Sequence, residues 1–129
     1  MIGYLDSNGF TPNTVSVSGI PWSIYDVILY FNGDIGTATR LANYRVTTAD
    51  TSGHIRGCSA TGPEGSTVSG ADATNFAGTY IRASNNSVGN CVEFLGCSGP
   101  ELHIAPVHGQ STDGQVRASI NGLQILTQQ

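Results

Sequence analysis

Along most of the chain, hydrophobic and polar positions alternate with a period of two. That is the spacing of a strand that buries one face. Thr14-Val15-Ser16-Val17-Ser18 alternates strictly and stops at Gly19, with Pro21 beyond it. From Tyr25 to Asn32, Tyr25, Val27, Leu29 and Phe31 share one face, and Asp26, Ile28, Tyr30 and Asn32 share the other. Apolar side chains on both faces predict a central strand, covered at least partly on its second side. Leu41 to Thr48 predicts a strand with Tyr44 and Val46 inward. Thr79 to Ala83, Cys91 to Leu95 and Glu101 to Ala105 predict three more, the last with Leu102 and Ile104 inward. Arg117 to Leu126 predicts the closing strand, in which Gly122 marks a bulge or a close backbone approach.

Turn signals such as Asn32-Gly33-Asp34 separate these runs. Thr51 to Asn75 is rich in Gly, Ser and Thr with weak periodicity, and is expected to hold loops and short strands. No stretch of ten residues carries a helical stripe. Seven or eight short strands predict an all-β chain, an antiparallel β-sandwich of jelly-roll type. The 129 residues suit one domain spanning 1–129.

Composition narrows the partners. Charged residues make up 11% of the chain, Lys is absent and all five basic residues are Arg. A neutral surface rich in Ser, Thr, Asn and Gly is common in secreted β-proteins, so a secreted or cell-surface location is expected. With a net charge of −4 and scattered Arg, no basic face is expected for nucleic acid. No apolar run approaches the length of a membrane span. Met1-Ile2-Gly3-Tyr4 has neither the basic n-region nor the apolar h-region of a secretory leader.

The three cysteines, Cys58, Cys91 and Cys97, allow one internal bridge at most. A bridge between Cys91 and Cys97 would contradict the strand between them, because six extended residues span roughly 20 Å and a disulfide needs Cα atoms about 5–6 Å apart. A bridge from Cys58 to either, or three reduced thiols acting as small hydrophobes, both fit.

Candidate chemistry lies in aromatics and polar loops. Trp22, the only Trp, follows Pro21 between two strands, with Tyr25 three residues on. Either it caps the core or its ring stacks on the apolar face of a sugar. Tyr30 opposes the core face of its strand and is either covered by a neighbour or a second platform. Asn32, Asp34 and Arg40 flank the next turn and could bond hydroxyl groups, or simply build the turn. Asn85-Asn86-Ser87, Asp113 and Arg117 are weaker candidates of the same kind. Catalysis is not expected: there is no GxSxG, HExxH or P-loop. The one carboxylate pair with glycosidase potential, Glu93 and Glu101, would sit on adjacent hairpin strands and face solvent. His54, His103 and His108 show no ligand spacing.

Three segments carry a resemblance: Val15-Ser16-Val17-Ser18-Gly19-Ile20-Pro21 with Tyr25-Asp26-Val27 and Tyr30-Phe31; Asn90-Cys91-Val92-Glu93-Phe94 with Gly96 and Gly99; and Arg117 to Ile125. Together, over roughly residues 14–126, they resemble a β-sandwich domain of large secreted bacterial proteins, similar to jelly-roll carbohydrate-binding modules and galactose-binding-like domains. The resemblance implies a non-catalytic, lectin-like module. Its ligand would be a polysaccharide or glycan, held by Trp22, Tyr25, Tyr30, Asn32, Asp34 and Arg40. The chain departs from the resemblance at Cys91 and Cys97, where that family more usually shows an aromatic and an aliphatic residue; this favours Cys97 as a core thiol and Cys91 as the better partner for Cys58, if a bridge forms. Such jelly rolls often hold a structural calcium near the sheet edge. Asp6-Ser7-Asn8-Gly9 resembles the start of a calcium loop but lacks the later ligands. The alternative is a structural or adhesive domain that self-associates through Tyr30 and the terminal strand, since low charge removes one barrier to edge pairing.

Overall fold

Alternation of branched or aromatic residues with polar ones generates ten strands and no helix among the described residues. The structure is a computed structural model and describes residues 5–8, 14–31, 42–60, 78–83, 89–107, 112–114 and 117–128. The strands are β1 (Leu5–Asn8), β2 (Val15–Ser18), β3 (Tyr25–Tyr30), β4 (Asn43–Ala49), β5 (Ile55–Gly57), β6 (Ser59–Ala60), β7 (Cys91–Cys97), β8 (Glu101–Val107), β9 (Arg117–Ile120) and β10 (Gly122–Thr127). The front sheet has the order β10-β3-β7-β6 and the back sheet β2-β8-β4-β5, and β1 pairs with β9. All pairings between named strands are antiparallel.

The inward faces of the two sheets share one apolar core. Val27, Leu29, Val92 and Phe94 come from the front sheet, and Tyr44, Val46, Leu102 and Ile104 from the back. Phe31 and Tyr44 join the two, their rings stacked at 4.7 Å. The Tyr44 hydroxyl donates to the Ser119 carbonyl, so a large buried ring keeps its polar end satisfied. The arrangement is sandwich-like, with β3 as a central strand between β10 and β7.

Burial follows the alternation in β3, β4 and β8: Tyr25, Val27 and Leu29 are buried, as are Tyr44, Val46, Leu102 and Ile104. Asp6, Ser7 and Asn8 lie in extended β1, opposite Ser119, Ala118 and Arg117. Arg117 to Leu126 divides at Asn121 into β9 and β10, each with its own partner strand. The residues from Thr79 to Ala83 form no regular strand; Arg82 makes a single parallel bridge to Cys91.

Glu93 and Glu101 are not on adjacent strands, because the chain crosses from the front sheet to the back between β7 and β8. The disulfide joins Cys58 to Cys97, with Cα atoms 4.9 Å apart, and Cys91 carries no bridge. The reason is a register shift. Tyr25 pairs with Cys97 while Val27 pairs with Phe94, so β7 holds one extra residue there. Gly96 absorbs the bulge at a φ of +63°, in the left-handed region that favours glycine. Cys97 thereby turns to the core face, next to Cys58, where unbroken alternation would have put it on the face of Cys91.

Candidate functional site

The outward face of the front sheet is built by β10, β3 and β7 in register. Gly122, Tyr30 and Cys91 make one row, and Gln124, Ile28 and Glu93 the next. Tyr30 belongs to this face because it is out of phase with the buried Tyr25, Val27 and Leu29. Its hydroxyl donates to Oε1 of Gln124 at 3.0 Å. Its ring meets that of Tyr80, with centroids 4.6 Å apart and planes inclined at 55°. Arg82 and Glu93 close the row with an ion pair at 2.6 Å.

Tyr80 is held in place from behind. Asn90 is buried, and its carboxamide grips the backbone on both sides of Tyr80. Oδ1 accepts from the Ile81 N–H at 2.8 Å, and Nδ2 donates to the Thr79 carbonyl at 3.0 Å. The Asn90 and Cys91 N–H groups both donate to the Ile81 carbonyl, and the Ala83 N–H to the Cys91 carbonyl. Gly89 makes this close approach feasible, since a Cβ there would lie 2.3 Å from the Ile81 oxygen. Cys91, beneath, directs its thiol to the same carbonyl at 3.4 Å.

The electrostatics follow from partial burial. Burial pushes the Tyr30 hydroxyl above its ordinary value, helped by Cys91 and Tyr80 nearby. Burial also raises the Cys91 thiol, outweighing the opposite pull of Arg82. Both groups are neutral at physiological pH. The face offers aromatic area, a carboxamide, a guanidinium and a carboxylate side by side.

Of the expected binding residues that the structure describes, Trp22, Tyr25 and Tyr30, it brings Tyr30 to this face. Tyr25 is fully buried and donates its hydroxyl to the Gly99 carbonyl at 3.0 Å. It is a core residue, because the alternation that turns Tyr30 outward turns Tyr25 inward. Trp22 is 42% exposed just before β3, and the platform with Tyr25 does not form. Asn32, Asp34 and Arg40 lie outside the described residues, as do Asn85 and Asn86 and the side chain of Arg117. Sequence reasoning missed Tyr80, Gln124, Arg82 and the role of Asn90. Gln124 could have been found from Gly122 and Tyr30, given the pairing of β10 with β3.

On the back sheet, Ser16 and His103 face each other across β2 and β8, with Oγ 3.0 Å from Nδ1. Glu101 lies 3.8 Å from Nε2, beyond hydrogen-bond reach. The trio lies on an outward sheet face and reads as a surface hydrogen bond. Among the described residues no group of three or more His, Cys, Asp or Glu could hold a metal, and no helix is long and apolar enough to cross a membrane. No family model matches the chain, and neither a curated protein nor a solved structure matches it.

Proposed function

We propose that this chain is a non-catalytic glycan-binding module that takes sugar on the outward face of β3 and its neighbours. The observation that carries the reading is the Tyr30–Tyr80 pair, its rings 4.6 Å apart, beside Gln124 and the Arg82–Glu93 ion pair. A sugar offers an apolar C–H face to an aromatic ring and hydroxyls to polar groups that both donate and accept. Arg82 and the Gln124 amide donate; Glu93 accepts. The ligand site moves from Trp22 and Tyr25 to Tyr30 and Tyr80.

A secreted or cell-surface location belongs to the same reading, supported by the Cys58–Cys97 disulfide, since such bonds persist in oxidising compartments. So does jelly-roll connectivity, supported by the repeated passage of the chain between sheets: β2 to β3, β3 to β4, β5 to β6 and β7 to β8. Affinity electrophoresis in gels containing polysaccharides tests the function. Retardation that disappears in Tyr30→Ala and Tyr80→Ala is the expected result. Equal mobility in every gel, with no retention by insoluble polysaccharide either, would remove the reading.

One observation favours a second reading, a self-associating structural domain. β10 ends the front sheet and carries no charged residue, and Leu126 within it is exposed. Uncharged edges invite strand pairing. Light scattering that shows a monomer at high concentration would remove this alternative.

A further inference from the structure

We infer that the Tyr30–Tyr80 face selects a single, uncharged glycan chain over both crystalline polysaccharide and acidic polysaccharide; this rests on the glycan-binding reading above. Two independent features carry it.

The first is the shape of the platform. A crystalline polymer presents a flat surface, and binding it needs aromatic rings that lie in one plane. Here the planes of Tyr30 and Tyr80 are inclined at 55° with centroids only 4.6 Å apart. A flat lattice resting on one ring meets the other edge-on. A single chain can turn between successive sugars and follow the angle. The inclination is fixed from both sides. The Tyr30 hydroxyl is tied to Gln124, and the backbone on either side of Tyr80 is tied to Asn90.

The second is charge. Among the described residues the cation on this face is Arg82, which is paired with Glu93 at 2.6 Å. The Arg82 side chain is 61% exposed and that of Glu93 18%, so a ligand meets the guanidinium first, with the carboxylate directly behind it. Remaining guanidinium N–H groups bond to neutral hydroxyls, while the pair has no net attraction for a uronic acid or sulfate. The chain as a whole carries a net charge of −4, which repels polyanions further.

The test uses the full chain against three sets of probes: arabinoxylan, galactomannan and hydroxyethyl cellulose in gels; alginate and polygalacturonate in gels; and microcrystalline cellulose and chitin powders in pull-downs. Retardation in at least one neutral gel, abolished by Tyr80→Ala, is expected, with no retention by the acidic gels or the powders. Retention by acidic gels or by powders that depends on Tyr80 would overturn this inference and leave the glycan-binding reading standing. No retention by any probe would overturn both. Glu93→Gln and Arg82→Gln, each checked for native circular dichroism, separate the charge argument from fold damage. Glu93→Gln should gain several-fold retardation in alginate and Arg82→Gln none. Equal behaviour of the two variants would overturn the role given to the ion pair.

Discussion

Tyr80 sits against Tyr30, ring centroid to ring centroid at 4.6 Å, although fifty residues of chain separate them and Tyr80 lies in no regular strand. The contact exists because Asn90 acts as a substitute strand edge. Its carboxamide accepts from Ile81 and donates to Thr79 as a paired peptide group would.

Asn90→Ala should therefore loosen the 79–83 segment and lower stability by about 1–3 kcal/mol, since it removes two part-buried hydrogen bonds, to the Ile81 N–H and the Thr79 carbonyl, at roughly 0.5–1.5 kcal/mol each. Gly89→Ala should be at least as damaging, because its Cβ would meet backbone rather than a movable side chain. Denaturant melts of both variants check the order. Loss of hydrogen-exchange protection should appear first at Ile81 and Ala83.

The cysteines separate into one structural pair and one sheltered thiol. Removing the bridge with Cys58→Ala/Cys97→Ala should cost about 2–5 kcal/mol, the usual range for a native disulfide in a small domain. Cys91→Ala removes only a small buried side chain and should cost less. Thiol titration should find one reactive group, and only after unfolding, because Cys91 is buried and its thiol is held neutral. Two or three reactive thiols in the unfolded, non-reduced protein would contradict the pairing.

Alkaline pH should destabilise the fold. Tyr25, Tyr30 and Cys91 all have raised pKa values in the folded state, with burial as the leading cause. A raised value means that the folded state holds its proton more tightly than the unfolded chain. Stability from these groups is complete below the unfolded values, 9.0 for the thiol and 10.0 for the phenols, and falls as pH rises through the folded ones. Thermal melts between pH 7 and 11 should show a flat region and then a decline starting near pH 9. Tyr25→Phe should soften the decline, at the cost of the bond to Gly99.

The inward faces of β3, β4 and β8 were legible because period-two alternation is a local property, and burial obeys it in Tyr25, Val27, Leu29, Tyr44, Val46, Leu102 and Ile104. Which strands become neighbours is not local. The return from β7 to β8 has the length of a hairpin, yet Ser98-Gly99-Pro100 carries the chain into the other sheet and separates Glu93 from Glu101. Gly99 adopts a φ of +110° there, where a Cβ would lie 2.7 Å from the Ala49 carbonyl. Likewise one extra residue at Gly96 changed the face of Cys97 and with it the disulfide. The candidate site was half legible: Tyr30 announces itself by alternation, whereas Tyr80 depends on a side-chain clamp ten residues away in sequence.

Ligand binding at the Tyr30–Tyr80 face is tested most directly by comparing Tyr80→Ala with Trp22→Ala in calorimetric titration against whichever soluble polysaccharide retards the wild-type protein. Both rings are exposed, at 48% for Tyr80 and 42% for Trp22, and neither is a core residue, so both variants should fold. Tyr80→Ala should weaken binding about tenfold or more, equivalent to ~1.4 kcal/mol, while Trp22→Ala should leave it unchanged. Binding that survives Tyr80→Ala and is lost with Trp22→Ala would place the ligand elsewhere and contradict binding at this face.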